Sequence, residues 1–158
     1  MTPDQIATIL THAKENGLNG FGGACGAAAV AINRVLFDGK AELVGAFNEA
    51  LWEKGEPLGH VAVIHDDIVW DADGRPKSLE DFESFGMLDP EDPDYQQLAA
   101  KLGIEWDDEV ANTAVLVTYD DEAEVLEWFD PAGLEKMEAT LRAALEEARP
   151  EDPAMCGP

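Results

Sequence analysis

The spacing of apolar residues predicts three helices in the first third of the chain. Over residues 3–16 and again over 41–54, apolar side chains recur every three or four positions, with polar and acidic residues between them. Residues 26–37 are apolar nearly all round, which is typical of a helix buried on every side. We therefore expect 26–37 to form the central helix of the fold.

The pattern changes from helices to strands in the middle of the chain. Two runs rich in β-branched residues, 60–65 and 68–74, flank Asp66-Asp67 and predict a hairpin. A third run, 113–119, is β-branched and apolar, and we expect it to join the same sheet. Further helices are predicted after the capping signals at Ser78, Asp92 and Asp130, and the last of them is expected to end at about Arg149.

The predicted hairpin brings a histidine close to an aspartate. If Asp66-Asp67 is a two-residue turn, the numbers of paired residues add up to 133, so His60 lies opposite Asp73 and diagonal to Asp71. A turn one residue earlier would place Asp71 directly opposite His60. Either register puts a carboxylate on the same face of the sheet as the imidazole, because strand side chains alternate between faces.

The composition indicates a single, strongly acidic domain. The chain of 158 residues is long enough for one domain, expected over 1–149, while the prolines and glycine of 150–158 predict a disordered tail. There are 34 acidic and 10 basic residues, a net charge of −24, which repels phosphate backbones and anionic lipid. We therefore expect neither a nucleic acid nor a membrane as partner. Adaptation to high salt, solubility and mimicry of nucleic acid each account for such charge, and its spread through nearly every segment favours the first two.

No segment predicts secretion, a metal site or a cofactor. No apolar run approaches the roughly 18 residues that span a bilayer, and the first residues are neither basic nor apolar, so we expect a cytoplasmic protein. Cys25 and Cys156 are far apart and lack the spacing of a metal site or a disulfide framework. The acidic run 89–94 lacks the glycine and ligand spacing of a calcium loop, and we interpret it as solvated surface with Asp92 as a helix cap.

Cys25 is the candidate nucleophile. Gly20, Gly22 and Gly23 form a loop that delivers this cysteine to the start of the central helix. The unpaired N–H groups and the positive dipole end of a helix start stabilise a thiolate there. The alternative is that Cys25 is a small buried core residue and the glycines form an ordinary loop.

Three further residue types complete a candidate site around Cys25. His60 can serve as base toward the thiol and as acid toward the leaving group, and Asp71, or Asp73 in the other register, can orient the imidazole. The amide of Asn19, together with the backbone N–H of Cys25, can donate hydrogen bonds to an oxyanion. The alternative for Asn19 is a plain turn residue in Asn-Gly.

In this order, Cys, His, Asp, the chain resembles the papain-like superfamily in the compact form shared by NlpC-type cell-wall peptidases, transglutaminase-like proteins and arylamine acetyltransferases. The resemblance extends from Asn19 to Gly74. It is carried by Gly23-Ala-Cys25-Gly, Gly59-His60-Val-Ala-Val and Ile68-Val-Trp-Asp71-Ala-Asp73-Gly. The transglutaminase-like strand commonly ends in Asp-Pro, whereas Gly74 follows Asp73 here.

The resemblance implies a fold and an activity. The fold is α+β, a compact papain-like arrangement in which a central helix bearing the cysteine packs on a small antiparallel sheet with surrounding helices. The activity is thiol-dependent amide or acyl transfer, with a cysteine hydrolase (peptidase, amidase or deamidase) favoured and a peptide or other amide as substrate. The alternative function is that of a non-catalytic acidic interaction protein, an inhibitor or immunity-like factor that occupies a basic partner, with mimicry of nucleic acid as one way of doing so.

The charge itself makes a testable prediction about stability. Negative charges that repel one another within about 10 Å, the Debye length at 0.1 M salt, strain the folded state in dilute buffer. We expect the thermal midpoint to rise steadily from low to molar sodium chloride, measured by circular dichroism. Potassium chloride should act equally, because screening needs no specific site. A midpoint indifferent to salt would contradict this account of the charge.

Overall fold

A computed structural model describes residues 1–20 and 24–148. Within these ranges the chain has eight α-helices and one four-stranded antiparallel sheet, which confirms the predicted α+β class with an antiparallel sheet. Gly22 and Gly23 of the expected glycine loop lie outside the described residues, as do Arg149 and the predicted tail 150–158 with Cys156. No helix in the described part of the chain is both long and apolar enough to cross a membrane.

The sheet contains four short strands in the order β3-β2-β1-β4. The hairpin register is the one predicted for a turn at Asp66-Asp67, since His65 pairs with Ile68 and Val63 pairs with Trp70. Both turn residues have positive φ, as two-residue hairpin turns of this kind require. The strands are β1 (Glu42–Asn48), β2 (Gly59–His65), β3 (Ile68–Trp70) and β4 (Ala114–Tyr119).

Helices pack on both faces of this sheet, and several begin at the signal that the sequence marks. Thr2 and Gln5 form a capping box before the first helix, and Ser78 and Asp92 each accept a backbone hydrogen bond at the start of theirs. Asp92 thus acts as the predicted cap within the acidic run. The helices are α1 (Pro3–Glu15), α2 (Cys25–Leu36), α3 (Glu49–Glu53), α4 (Leu79–Glu83), α5 (Pro93–Lys101), α6 (Asp108–Ala111), α7 (Glu122–Trp128) and α8 (Leu134–Ala148), with a 3₁₀ turn at Ser84–Gly86.

The prediction of a helix over 41–54 is wrong for most of its length. Residues 42–48 form β1, a central strand that pairs with β2 on one side and β4 on the other, and only 49–53 are helical. Apolar residues line both faces of this strand because both faces are covered, so its near-continuous apolar run also fits a helical stripe. Gly45 argues against a helix in this run, because glycine is unfavourable in a helix interior. In the strand, the Phe47 ring occupies the place where a Cβ at Gly45 would be.

The end of the chain also differs from the prediction. Asp121 caps α7, which the sequence analysis did not expect, by accepting a hydrogen bond from the N–H of Glu124. The final helix starts at Leu134 rather than directly after Asp130-Pro131. The Asp130 carboxylate instead accepts a hydrogen bond from the N–H of Ala132, so this aspartate shapes a turn before the helix.

The central helix α2 connects the sheet with the helices α7 and α8. It is buried along nearly all its length and packs on β2 and against α8 and α7, as the apolar pattern predicted. Asn33 near its end exchanges hydrogen bonds with both backbone groups of Ala41 and fixes the entry into β1. A smaller core on the other face of the sheet is formed by Val44, Ala46, Ala62, Val69 and Phe82.

Asn48 offers a test of how the sheet is tied to the helices. Its fully buried amide nitrogen donates to the carbonyls of Val110 and Ala111, and its oxygen accepts from the N–H of Leu51. Asn48→Asp keeps the shape but removes both donors and places a charge against two carbonyl oxygens, so we expect a loss of about 3 kcal/mol or more in chemical unfolding.

Asn112→Asp is the matched control, because it makes the same change at an exposed amide that donates to the backbone carbonyl of Asp108. We expect it to cost less than about 1 kcal/mol. Equal losses in both variants would show that charge alone, and not the buried hydrogen bonds of Asn48, determines the effect.

Candidate active site

Cys25 is the first residue of α2 and lies where the helix meets the sheet. The residue is 7% exposed, and the capping residue Ala24 offers no side-chain acceptor to the N–H groups of the first turn. Those N–H groups and the helix dipole therefore act on the environment of the thiol itself. The structure thus places Cys25 at a helix start, as predicted, and also within the main core.

His60 lies near the start of β2 and is only 3% exposed. Its ring is flanked by Phe85 at 4.6 Å and Phe82 at 6.2 Å between ring centroids. Gly59 before it brings β2 very close to β1, since a Cβ there would lie 1.8 Å from the carbonyl oxygen of Ala46. The imidazole is therefore held in place by the close pairing of its strand with β1 and by the two phenylalanine rings beside it.

Asp71 is the aspartate that meets His60. Its Oδ2 lies 3.0 Å from Nε2 of His60, and the residue is 2% exposed. The β2–β3 ladder stops at Trp70, so Asp73 is not paired opposite His60 as a continued hairpin would require. The reason is local: the Asp71 side chain accepts the N–H of Asp73 at 3.0 Å, which turns the chain away from the sheet.

His60 also interacts with the side chain of Cys25, which acts on the ring through hydrogen bonding and through its charge. Burial by itself would lower the pKa of His60, but the hydrogen bonds to Asp71 and Cys25 and their negative charges outweigh it and raise that pKa to about 9. At neutral pH the ring is therefore an imidazolium, the natural counter-ion of a thiolate.

The pKa of Asp71 moves in the opposite direction. Burial would raise it, but the hydrogen bonds from His60 and Asp73 and the positive charge of Lys77 hold the pKa well below its usual range. Asp71 is therefore ionised throughout the range in which His60 titrates. The site thus combines a thiol, a protonated imidazole and a carboxylate in one connected chain of contacts.

The segment before Cys25 packs on the turn that follows Asp71. A Cβ at Gly20 would lie 2.9 Å from the Cβ of Ala72, so only glycine allows the two segments to approach this closely. Asn19 is exposed between the buried Leu18 and Gly20. Its expected role as an oxyanion donor stays a prediction.

Aromatic residues that the sequence analysis did not assign to the site form a cluster next to the first turn of α2. Phe129 covers Gly26, where a Cβ would lie 2.4 Å from the Cβ of Phe129. Its ring stacks on Phe47, which in turn stacks on Trp52. The ring centroids of Trp128 and Trp52 are 5.5 Å apart, and Trp128 is 50% exposed, so this cluster continues from the start of α2 to the protein surface.

The other titratable candidates lie elsewhere in the fold. His12 pairs with Glu147 of α8, and His65 stacks on Phe37 at the far end of β2. Within residues 1–20 and 24–148, no group of three or more His, Cys, Asp or Glu side chains is arranged to hold a metal ion.

Two more residues of this region escaped the sequence analysis. Lys77 donates to the carboxylates of Asp71 and Asp73, and its position four residues after Asp73 is the only sequence signal for that contact. Tyr119 is buried, and burial together with the negative charges of Cys25 and Glu124 raises the pKa of its hydroxyl. The Tyr119 hydroxyl has no hydrogen-bond partner among the described residues.

Comparison with protein-family models, with curated proteins and with solved structures finds no match to this chain.

The raised pKa of His60 predicts how the site titrates and how stability varies with pH. The ring signals should titrate with a midpoint near pH 9 in nuclear magnetic resonance spectra. Because the folded pKa lies above the usual 6.5, the stabilisation is complete below about pH 6.5 and is lost as the pH rises through 9. Its size is about 3 kcal/mol at most, measurable by urea unfolding.

Asp71→Asn provides the control for this titration. It removes the carboxylate but keeps the burial of His60, so the midpoint should fall by more than one unit. An unchanged midpoint in Asp71→Asn would contradict the assignment of Asp71 as the partner of the ring.

Proposed function

We propose that this protein is a cysteine hydrolase with a compact papain-like arrangement, in which Cys25, His60 and Asp71 act as a catalytic triad. The observation that carries the proposal is that one ring, His60, is hydrogen-bonded to the buried carboxylate of Asp71 and also interacts with Cys25 at the start of α2. A nucleophile, a base and a group that orients the base are the parts that thiol-dependent acyl transfer needs. The order of the three residues along the chain also agrees with that of the superfamily it resembles.

In the proposed reaction, the Cys25 thiolate attacks the carbonyl carbon of an amide, and the carbonyl oxygen becomes an oxyanion. The backbone N–H of Cys25 and the amide of Asn19 are the proposed donors to that oxyanion. When the C–N bond breaks, the imidazolium of His60 gives its proton to the leaving amine. A water then attacks the thioester while neutral His60 takes its proton, which releases the acid and restores the thiolate–imidazolium pair.

The surroundings of Cys25 favour a peptide or another amide with an apolar portion. Phe129 lies directly on the first turn of α2, and Trp128 extends the aromatic surface to solvent. Such a surface can bind the apolar part of a substrate while its carbonyl faces the thiol. The net charge of −24 disfavours anionic substrates by long-range repulsion.

p-Nitrophenyl acetate tests the proposal without knowledge of the natural substrate. Attack by Cys25 should release one equivalent of p-nitrophenolate in a burst and leave an acetyl group on the sulfur, located by mass spectrometry after an acid quench. Cys25→Ala should abolish the burst, whereas Cys156→Ala should keep it and serves as the matched control. Acetylation confined to Cys156 would contradict the proposal and favour the non-catalytic interaction protein.

The same assay identifies the third member of the triad. Asp71→Ala should lower the rate of the burst by about a hundredfold or more while the protein stays folded, because His60 loses its partner. Asp73→Ala should have a much smaller effect, since that carboxylate faces Lys77 and Arg75. The reverse ranking would assign the orienting role to Asp73.

A further inference from the structure

Lys77 lies in the loop that follows the triad aspartate, and it is largely shielded from solvent. Its side chain is 13% exposed. The ammonium donates to Oδ1 of Asp71 at 3.2 Å, to Oδ1 of Asp73 at 2.7 Å and to the carbonyl of Arg75 at 3.1 Å. These contacts use all three N–H donors of a lysine, so the charge has one fixed position.

The backbone holds Lys77 in this place independently of its side chain. Lys77 and Val69 exchange two backbone hydrogen bonds, of 2.8 and 3.0 Å, which close the loop between them. The loop therefore returns to the edge of β3 directly beside Asp71. An ammonium brought there by the fold is desolvated, and only close carboxylates compensate that cost.

Lys77 and His60 share the charge of one carboxylate. Oδ2 of Asp71 faces His60, while Oδ1 receives Lys77 and the N–H of Asp73. Each oxygen of the Asp71 carboxylate already has one other partner, His60 at Oδ2 and the Asp73 N–H at Oδ1. The orientation of Asp71 therefore does not depend on Lys77 alone. What Lys77 adds is a positive charge on the far side of the carboxylate.

Among the described residues, the other groups that contact His60 do not supply this charge. Phe82 and Phe85 are uncharged, and Cys25 contributes negative charge when ionised. Arg75 reaches Asp73 at 3.4 Å through a side chain that is largely exposed. Although the chain has only 10 basic residues, Arg75 and Lys77 both lie in this loop, so the triad region is far closer to neutral than the protein as a whole.

We propose that Lys77 is a positioning residue of the candidate active site, which acts through Asp71 to limit how strongly this carboxylate retains the proton on His60. The consequence for catalysis rests on the proposed function. Proton delivery to the leaving group requires an imidazolium that gives up its proton readily, and an uncompensated Asp71 would make His60 a weaker acid. The effect on His60 itself exists whether or not the protein is an enzyme.

The proposal is tested by titrating His60 in three variants by nuclear magnetic resonance. Lys77→Met removes the positive charge while both carboxylates remain ionised, so the midpoint should move up by about one unit. Asp73→Asn leaves Lys77 to face Asp71 alone, so the midpoint should move down. Lys77→Arg keeps the charge and should stay within about 0.3 unit of the wild type.

Each outcome has a distinct meaning. A midpoint that is unchanged or lower in Lys77→Met would overturn the proposal, as would an upward shift in Asp73→Asn. If Lys77→Met does not fold, Lys77→Gln decides in its place, because it also removes the charge but keeps an N–H donor for the carboxylates, and an unchanged or lower midpoint in that variant would overturn the proposal. The p-nitrophenyl acetate burst separates the two proposals: expected shifts without a burst would refute the enzyme and keep the role of Lys77.

Discussion

The hydrogen bond between Nε2 of His60 and Oδ2 of Asp71 joins the start of β2 to the turn after β3 in the interior of the protein. Two ionised groups are buried there, and such a pair is tolerated only when each oxygen and each N–H has a partner. The structure meets this condition on both sides. Cys25 also interacts with the imidazole, and the Asp73 N–H and Lys77 donate to the other oxygen of Asp71.

The rest of the fold supports this pair through close backbone approaches. Gly59 lets β2 lie against β1 directly before His60, and Gly20 lets the segment before Cys25 lie against Ala72 directly after Asp71. In each case a Cβ would collide with the neighbouring segment. Close contacts next to His60 and next to Asp71 therefore help to bring the imidazole and the carboxylate together, and the second of them also holds the segment that leads to Cys25.

The electrostatics of the site contrast with those of the whole chain. The protein carries a net charge of −24, yet cationic Lys77 and the imidazolium of His60 balance the buried carboxylates. Surface acidic residues remain hydrated and interact weakly through water, whereas buried charges interact strongly and must be compensated. Net charge is thus set by the surface, and the chemistry of the site by a few buried pairs.

Local signals in the sequence determined much of this protein. Capping residues indicated the starts of several helices, the Asp66-Asp67 turn limited the hairpin to two registers, one of which the structure has, and the all-round apolar pattern identified α2 as the central helix. These features depend on residues a few positions apart, which a sequence displays directly. The candidates Cys25 and His60 followed from the same local reasoning.

Only the tertiary structure decided the features that depend on what covers each segment. Residues 42–48 are a strand because sheet neighbours and two cores enclose them, and their apolar spacing alone fits a helix equally well. Asp71 rather than Asp73 meets His60 because a side-chain hydrogen bond ends the β-ladder after Trp70. Lys77 joins the site through a backbone bridge to Val69. Pairing partners and burial are properties of segments far apart in the chain, so no local pattern contains them.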